Sequence, residues 1–175
     1  MAVVSADALR SEFDGVFALP VRERSEKLID LLMIRVAGQS YALRVDEMSG
    51  VGAGRRVTKV PSPEPAFAGL VGIRGAIFAV YDLGVLLGLP HQASEQHWVA
   101  LAAGDAQIAL SFEELEGHLR LPPSELGANV NAGFCEHAVR TGNELRPVVS
   151  LPRIVSVVLE RAARERPGKG DKRDG

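Results

Sequence analysis

Histidines, a cysteine and clustered glutamates are the residues here whose chemistry could support catalysis or metal binding. The four histidines have no ligand-like spacing to one another; they are His91, His97, His118 and His137. For the single cysteine, Cys135, a buried and inert side chain is the ordinary interpretation. The glutamates of the stretch FEELE are typical of a solvated loop or helix start. The sequence therefore predicts no catalytic residue, no metal site and no cofactor.

The otherwise apolar segment from Phe67 to Pro90 contains two charges, Arg74 and Asp82, and these are more informative. Asp82 comes directly before LGVLLG, where a short helix needs an oxygen to accept from its first N–H groups, so we predict a helix cap. Ser150 has the same place before LPRIV and is predicted as a second cap. Arg74 lies between Gly72 and Gly75. The residues alone leave two roles open for it, a clamp onto backbone carbonyls or an anchor in an interface.

Composition limits the classes of protein that this chain can belong to. The 175 residues suit one domain or two very small ones. A net charge of −2 gives no bulk attraction to nucleic acid or to anionic membranes. One cysteine excludes an intramolecular disulfide. The first residues do not resemble a signal peptide, and no uncharged apolar run is long enough to span a membrane, so we expect a cytoplasmic protein.

A basic loop supports a competing hypothesis. Arg55, Arg56 and Lys59 lie within five residues, and a small barrel could bind nucleic acid through such a loop. A solvated turn is the more ordinary interpretation, and an aromatic content of 5% argues against a surface that stacks on bases. An enzyme that uses Cys135 or the histidines is the remaining alternative.

Alternating side chains predict short strands. The apolar residues Tyr41, Leu43 and Val45 alternate with Ala42, Arg44 and Asp46. This period of two indicates a half-buried strand in a hairpin that turns at Gly38. The stretch AIFAVY is apolar on both faces, which predicts a strand covered on both sides. We expect residues 1–27 to hold an N-terminal helix and a charged linker, and residues 161–175 to form a flexible tail.

The same pattern occurs twice along the chain. Residues 41–43 lie 67 residues before the similar residues 108–110, and Asp82 lies 68 residues before Ser150. Such an offset indicates an internal duplication. Small units with several short strands favour barrels, because closure removes sheet edges. The pattern predicts an all-β fold with short helices, in which residues 28–160 form two tandem barrels that divide near residues 90–97.

The apolar segment also resembles the signature of a known family, the CheW-like coupling proteins of bacterial chemosensory arrays. That family shows a glycine, then Asn-Leu-Arg-Gly, an apolar strand, Asp-Leu and a short helix. The matching positions are Gly69, Ile73, Arg74, Gly75, Val80, Asp82, Leu83 and Leu87. AGQSYALRVDEM resembles the first hairpin of the family, and FEELEGHLRLPPSEL resembles its second-half strand and loop. The resemblance extends from about Leu31 to Leu159.

The resemblance implies a fold, a function and a set of contacts. The fold is two intertwined five-stranded barrels of SH3-like type, and the function is that of a non-enzymatic adaptor. The implied partners are the cytoplasmic tip of a methyl-accepting chemoreceptor and the regulatory domain of a CheA-type histidine kinase. Met48, Gly69 and Arg74 match receptor-binding positions in a groove between the subdomains. The counterpart of the kinase-binding region is about Trp98 to Leu126.

Two departures from the family pattern bear on the partner. Gly72 replaces the usual asparagine, and Gly50 stands where a glutamate is common. Arg74 would then lack an ion-pair partner, unless Glu47 takes that place. The chain could accordingly be an accessory coupler of a dedicated chemosensory cluster.

Overall fold

The computed structural model describes residues 27–90, 98–127 and 133–164. The predicted N-terminal helix lies outside these ranges. The first half contains the strands β1 (Ile29–Val36), β2 (Gln39–Arg44), β3 (Met48–Ala53), β4 (Phe67–Ile73) and β5 (Ala76–Asp82), followed by the helix α1 (Leu83–Leu86). The second half contains β6 (Trp98–Ala102), β7 (Ile108–Phe112), β8 (Glu114–Leu121), β9 (Cys135–Thr141) and β10 (Glu144–Val149), followed by α2 (Leu151–Arg164). Short 3-10 turns occupy Val45–Glu47 and Pro123–Glu125.

The ten strands form two five-stranded sheets that exchange strands between the halves. Sheet A has the order β8-β1-β2-β10-β9, and sheet B has the order β3-β6-β7-β5-β4. The two orders are equivalent once each strand is replaced by its counterpart in the other half. β1 and β2 of sheet A correspond to β6 and β7 of sheet B, and β8, β9 and β10 correspond to β3, β4 and β5. Each sheet thus takes its central hairpin from one half and its other three strands from the other half. This confirms the intertwined fold that the resemblance implied; the repeat alone did not reveal the exchange.

Three hydrophobic clusters hold the fold together. One combines residues of both sheets and both helices, and each of the two smaller clusters belongs to a single sheet. Each of the hairpins β1–β2 and β6–β7 has one face in the shared cluster and the other face in the smaller cluster of its own sheet. In β2, for example, Tyr41 and Leu43 face the shared cluster while Ala42 belongs to the smaller cluster of sheet A. The predicted half-buried strand is therefore wrong, because both of its faces are buried, and Val45 lies beyond it in an exposed turn.

The duplication extends to irregularities in the strands. β3 has a bulge at Ser49 and β8 has one at Glu116, at equivalent places against β6 and β1. β4 and β9 share a second bulge, at Ala68 and Glu136. A bulge turns a side chain and bends its strand, so the repeated bulges show that both sheets need the same local bend.

The last helix runs past residue 160, where the sequence placed the start of the tail. α2 continues to Arg164, so the first four residues of the predicted tail are helical. Leu151, Ile154 and Val158 bury one side of this helix, and Arg161 and Arg164 lie in its last turn, where cations favour the negative end of the helix dipole. Neither helix has the length and apolarity to cross a membrane, within the ranges that the structure describes.

Candidate interaction surface

Arg74 stands at the tip of the hairpin β4–β5. It forms a two-residue loop with Gly75, and their φ angles of +51° and +81° are those of a type I′ turn. Its side chain is exposed, and no ion pair or hydrogen bond joins it to another described residue. Of the two roles left open, a clamp onto carbonyls thus finds no support in the described structure.

Ile77 provides an exposed apolar surface beside this tip. It is 63% exposed, the highest value among the large apolar side chains in the described ranges. Its cross-strand neighbour is Gly72, where an added Cβ would meet nothing within 4 Å. The expectation that both faces of β5 are covered is therefore wrong at Ile77, because no other described element packs over this face of the hairpin near its tip. Strand alternation gave no signal that this position would be exposed.

Gly69 has a structural task. It is buried, its φ is +138°, and a Cβ there would lie 2.2 Å from the backbone oxygen of Thr58. Thr58 and Leu70 exchange two backbone hydrogen bonds of 2.8 and 2.9 Å, which fasten the preceding loop to the edge of β4. Gly69 therefore permits a close approach of two backbones, and it has no side chain to offer a partner.

Met48 lies in a different part of sheet B. It is half-buried at the start of β3, packs against the shared cluster and pairs with Ala102. By the register of β6, β7 and β5, this level of the sheet corresponds to Ala79 on β5, five residues from Arg74, or roughly 17 Å along an extended strand. The sheet register thus separates Met48 from the tip of the hairpin, and the two do not form one compact cluster.

The basic loop runs beside β4. Arg55, Arg56 and Lys59 are exposed in the segment that leaves β3 and is fastened at Thr58. None of the three has an ion-pair partner among the described residues. The structure therefore brings this loop, which the sequence assigned to a competing hypothesis, close to the edge that ends in Arg74.

Glu47 joins the two halves in a way that the sequence did not predict. Its Oε2 accepts a hydrogen bond of 2.9 Å from the backbone N–H of Leu151, the first residue of α2, and its Oε1 lies 3.7 Å from Arg44 Nε. It does not pair with Arg74. Burial raises the pKa of Glu47, although the Leu151 N–H and Arg44 act against that rise. No pattern in the sequence could link a residue of the β2–β3 turn to a helix more than a hundred residues later.

The two predicted caps differ in the structure. The side chain of Asp82 accepts a hydrogen bond of 3.1 Å from the N–H of Val85, which confirms the cap of α1. Ser150 also directly precedes its helix, and its backbone carbonyl accepts from Ile154 N–H. Among the described residues, however, the oxygen that binds the first N–H of α2 is that of Glu47 and not that of Ser150.

Comparison with known proteins identifies this arrangement. The model of the CheW-like domain matches residues 30–158, which is most of the chain. The chain belongs to the CheW-like family. The chemotaxis protein CheW of Bacillus subtilis (strain 168) is 26% identical over 98 residues, which are 55% of this chain and 63% of that protein. The chain thus covers less than two thirds of that relative's length.

A solved structure supports the fold. The scaffolding protein TtCheW from Thermoanaerobacter tengcongensis superposes with a TM-score of 0.63 at 16% sequence identity. The match covers 70% of this chain and 89% of that one. It confirms the CheW-like arrangement of two exchanged five-stranded sheets.

In this CheW-like chain, the region predicted to bind the kinase, about Trp98 to Leu126, is divided between the two sheets. Residues 98–126 contribute β6 and β7 to sheet B and β8 to sheet A. β7 is buried at all five positions, and three of the five residues of β6 are buried. Most of the exposed positions of this segment are on the edge strand β8 and in the turns that flank these strands.

A half-buried ionic cluster joins three strands of sheet A. Glu116, at the bulge of β8, binds both Arg35 of β1 and Arg146 of β10. Glu116 and Arg146 are only 16% and 12% exposed. Burial opposes ionisation of Glu116, but the hydrogen bonds from the two arginines outweigh it and hold the pKa of this carboxyl below its usual value. The cluster is structural, because each of its charges faces another member.

Catalytic chemistry gains no support from the described residues. Cys135 is buried, and burial raises the pKa of its thiol, so little reactive thiolate forms at neutral pH. Within the described ranges no three potential ligands are grouped to hold a metal ion.

Proposed function

We propose that this chain is a non-enzymatic adaptor of a bacterial chemosensory array. In this role it couples the cytoplasmic tip of a methyl-accepting chemoreceptor to the regulatory domain of a CheA-type histidine kinase. It would act in the cytoplasm, at the inner surface of receptor arrays. The observation that carries the proposal is the CheW-like domain match over residues 30–158, with the matching exchange of strands between two sheets.

The surface at Arg74 supports a receptor contact. An exposed cation that pairs with no other described residue, beside a largely exposed isoleucine, has the composition of an interface anchor. Arg74 keeps the place that the family motif gives it, on a rigid two-residue loop. We propose Arg74 and the exposed part of Met48 as contact residues, and Gly69 as a residue that holds the loop beside them in place.

The kinase contact is proposed for the second half. β6 and β7 are largely buried, so the available parts of residues 98–126 are β8 with its following turn and the turn between β6 and β7. β8 is an edge strand of sheet A, and its exposed positions include Glu114, His118 and Arg120.

Isothermal titration of the full chain against both partners from the same organism tests the proposal. Binding to both without turnover supports the coupling function, and binding to neither overturns it. Arg74→Ala should weaken receptor binding by about 1–3 kcal/mol, since central interface arginines often contribute that much. Arg140→Ala is a matched control, because Arg140 is also exposed and has no partner among the described residues. Equal affinities of Arg74→Ala and the control would reject the contact at Arg74.

A further inference from the structure

The outer edge of β4 is only partly covered. β4 is the last strand of sheet B, and the preceding loop pairs with it at a single position, Leu70 with Thr58. Both the N–H and the carbonyl of Leu70 are turned outwards to that loop. Beyond Leu70, the described loop makes no further bridge to β4.

Gly72 continues this edge with free backbone groups. Alternate residues of a strand direct their N–H and C=O groups to the same side, so those of Gly72 face outwards as those of Leu70 do. No hydrogen bond of the described chain reaches these two groups. Because Gly72 has no side chain and Ile77 stands exposed opposite it, another extended backbone can approach here.

Positive charge surrounds this edge. Residues 48–81 contain the cations Arg55, Arg56, Lys59 and Arg74, and their single acidic residue, Glu64, lies 3.4 Å from Arg161. Arg56 precedes the fastened Thr58 by two residues and Arg74 follows Gly72 by two residues, so both cations lie beyond this single bridge, on the side of the hairpin tip. We call Gly72 and these four cations the basic edge.

The equivalent edge in the second half differs in charge. There the loop is fastened to β9 by a bridge between Gly127 and Ala138, the counterpart of the Thr58–Leu70 bridge. The corresponding residues 116–149 contain the acids Glu116, Glu125, Glu136 and Glu144 and the cations Arg120, Arg140 and Arg146. The position of Gly72 is taken by Arg140, which is exposed. The fold thus does not require a basic edge, since its second half lacks one.

We propose that the basic edge binds an extended acidic segment of a partner protein. The segment adds a short strand beside Gly72, places an apolar side chain against Ile77, and directs carboxylates on either side of it to Arg56 and Arg74. This inference goes beyond the coupling function and does not rest on it. A second copy of the chain is a poor occupant, because pairing β4 with itself would bring the two sets of four cations together.

The test uses a labelled peptide and the full chain. The probe is a fluorescein-labelled Ser-Glu-Glu-Val-Glu-Glu-Ser with blocked ends, and binding is followed by fluorescence anisotropy. With two backbone hydrogen bonds and a few exposed ion pairs we expect a Kd of about 0.1–1 mM at low salt. Binding should weaken severalfold between about 50 and 300 mM NaCl, since the charges are exposed.

Two pairs of variants separate backbone pairing from charge. Gly72→Pro removes the outward N–H of an edge strand and should weaken peptide binding at least tenfold, whereas Gly72→Ala keeps that N–H and has room for its Cβ. Arg56→Glu should abolish measurable binding of the peptide. Arg140→Glu, on the equivalent edge of sheet A, should leave the Kd within about twofold of the wild-type value. Thermal unfolding of each variant shows whether it has folded.

Three outcomes would overturn the proposal. One is no saturable binding of the peptide to the wild-type chain. Another is equal weakening by Arg56→Glu and Arg140→Glu, which would reveal only bulk charge attraction. The third is displacement of the peptide by a single-stranded DNA 20-mer that binds more tightly than the peptide does, which would assign the edge to nucleic acid.

Discussion

The hairpins β4–β5 and β9–β10 occupy equivalent positions in the two sheets, yet their surfaces differ. Each carries an exposed aliphatic residue at the same place, Ile77 at 63% and Leu145 at 59% exposure. Opposite Ile77 is Gly72, and opposite Leu145 is Arg140. Arg74 at one tip corresponds to Gly142 at the other. The backbone of a duplicated hairpin is therefore retained while its contact surface changes.

The interiors of the two sheets differ as well. At equivalent bulges, Ser49 donates a hydrogen bond to the carbonyl of Ala102, whereas Glu116 binds Arg35 and Arg146. The position of Arg146 in sheet A is that of Phe78 in sheet B, where the ring packs against the smaller cluster. Equivalent positions of the two sheets can thus hold an apolar ring, as in sheet B, or a member of an ionic cluster, as in sheet A.

The largest expected effect comes from the shared bulge of β4 and β9. Gly69→Ala should destabilise the protein by about 3–5 kcal/mol, because the new Cβ combines strain at a φ of +138° with a clash at Thr58 that breaks two hydrogen bonds. The equivalent position in β9 is His137, which already has a side chain, so His137→Ala should cost less than about 1 kcal/mol. Urea unfolding of both variants measures the difference. Equal losses would show that the two bulges have the same backbone requirement.

The ionic cluster should give the next largest effect. Glu116→Gln removes the carboxylate that Arg35 and Arg146 share and leaves them only the exposed carboxylates of Glu114 and Glu144, so we expect a loss of about 2 kcal/mol in the free energy of unfolding near neutral pH. Phe78→Leu at the equivalent place in sheet B removes no charge and serves as the matched control.

The dependence on pH distinguishes this ionic cost from a packing cost. The folded pKa of Glu116 lies below its ordinary value of 4.5, so the carboxylate contributes stability above that pH, and the contribution is lost as pH falls through the folded pKa. The difference between wild type and Glu116→Gln should therefore shrink as the pH is lowered from about 7 to about 3. The loss in Phe78→Leu should not change with pH. A Glu116→Gln difference that stayed constant would contradict the ionic explanation.

The sequence predicted the elements that depend on local patterns. The hairpin at Gly38, the cap at Asp82 and the duplication all follow from residue type and spacing, and the family motif added the exchange of strands. The burial of both faces of β2 was missed because it depends on a second sheet that packs from the other side. Exposure of Ile77 was missed because it depends on which elements pack over the tip of the hairpin, and the equivalent Leu145 is exposed as well.

The candidate site was predictable only in part. Arg74 could be placed on a turn because two glycines flank it closely, and the structure leaves it exposed. Gly69 was assigned to the receptor contact, although its close approach to Thr58 needs a register that no local pattern contains. Glu47 was missed for a related reason, since its partner Leu151 belongs to the other half of the chain.

The two helix caps give the smallest expected effects and the sharpest comparison. Asp82 accepts the N–H of Val85 within its own turn, so Asp82→Ala should cost about 1 kcal/mol. Ser150 has the same place before α2, but Glu47 supplies the oxygen that binds the first N–H of this helix. Ser150→Ala should therefore cost less than about 0.5 kcal/mol, while Glu47→Ala should cost about 1–2 kcal/mol, because it also leaves a helix end without its acceptor. Thermal unfolding of the three variants under identical conditions ranks them. If Ser150→Ala proved as costly as Asp82→Ala, and Glu47→Ala cost nothing, each half would cap its own helix and the link from the β2–β3 turn to α2 would have no energetic weight.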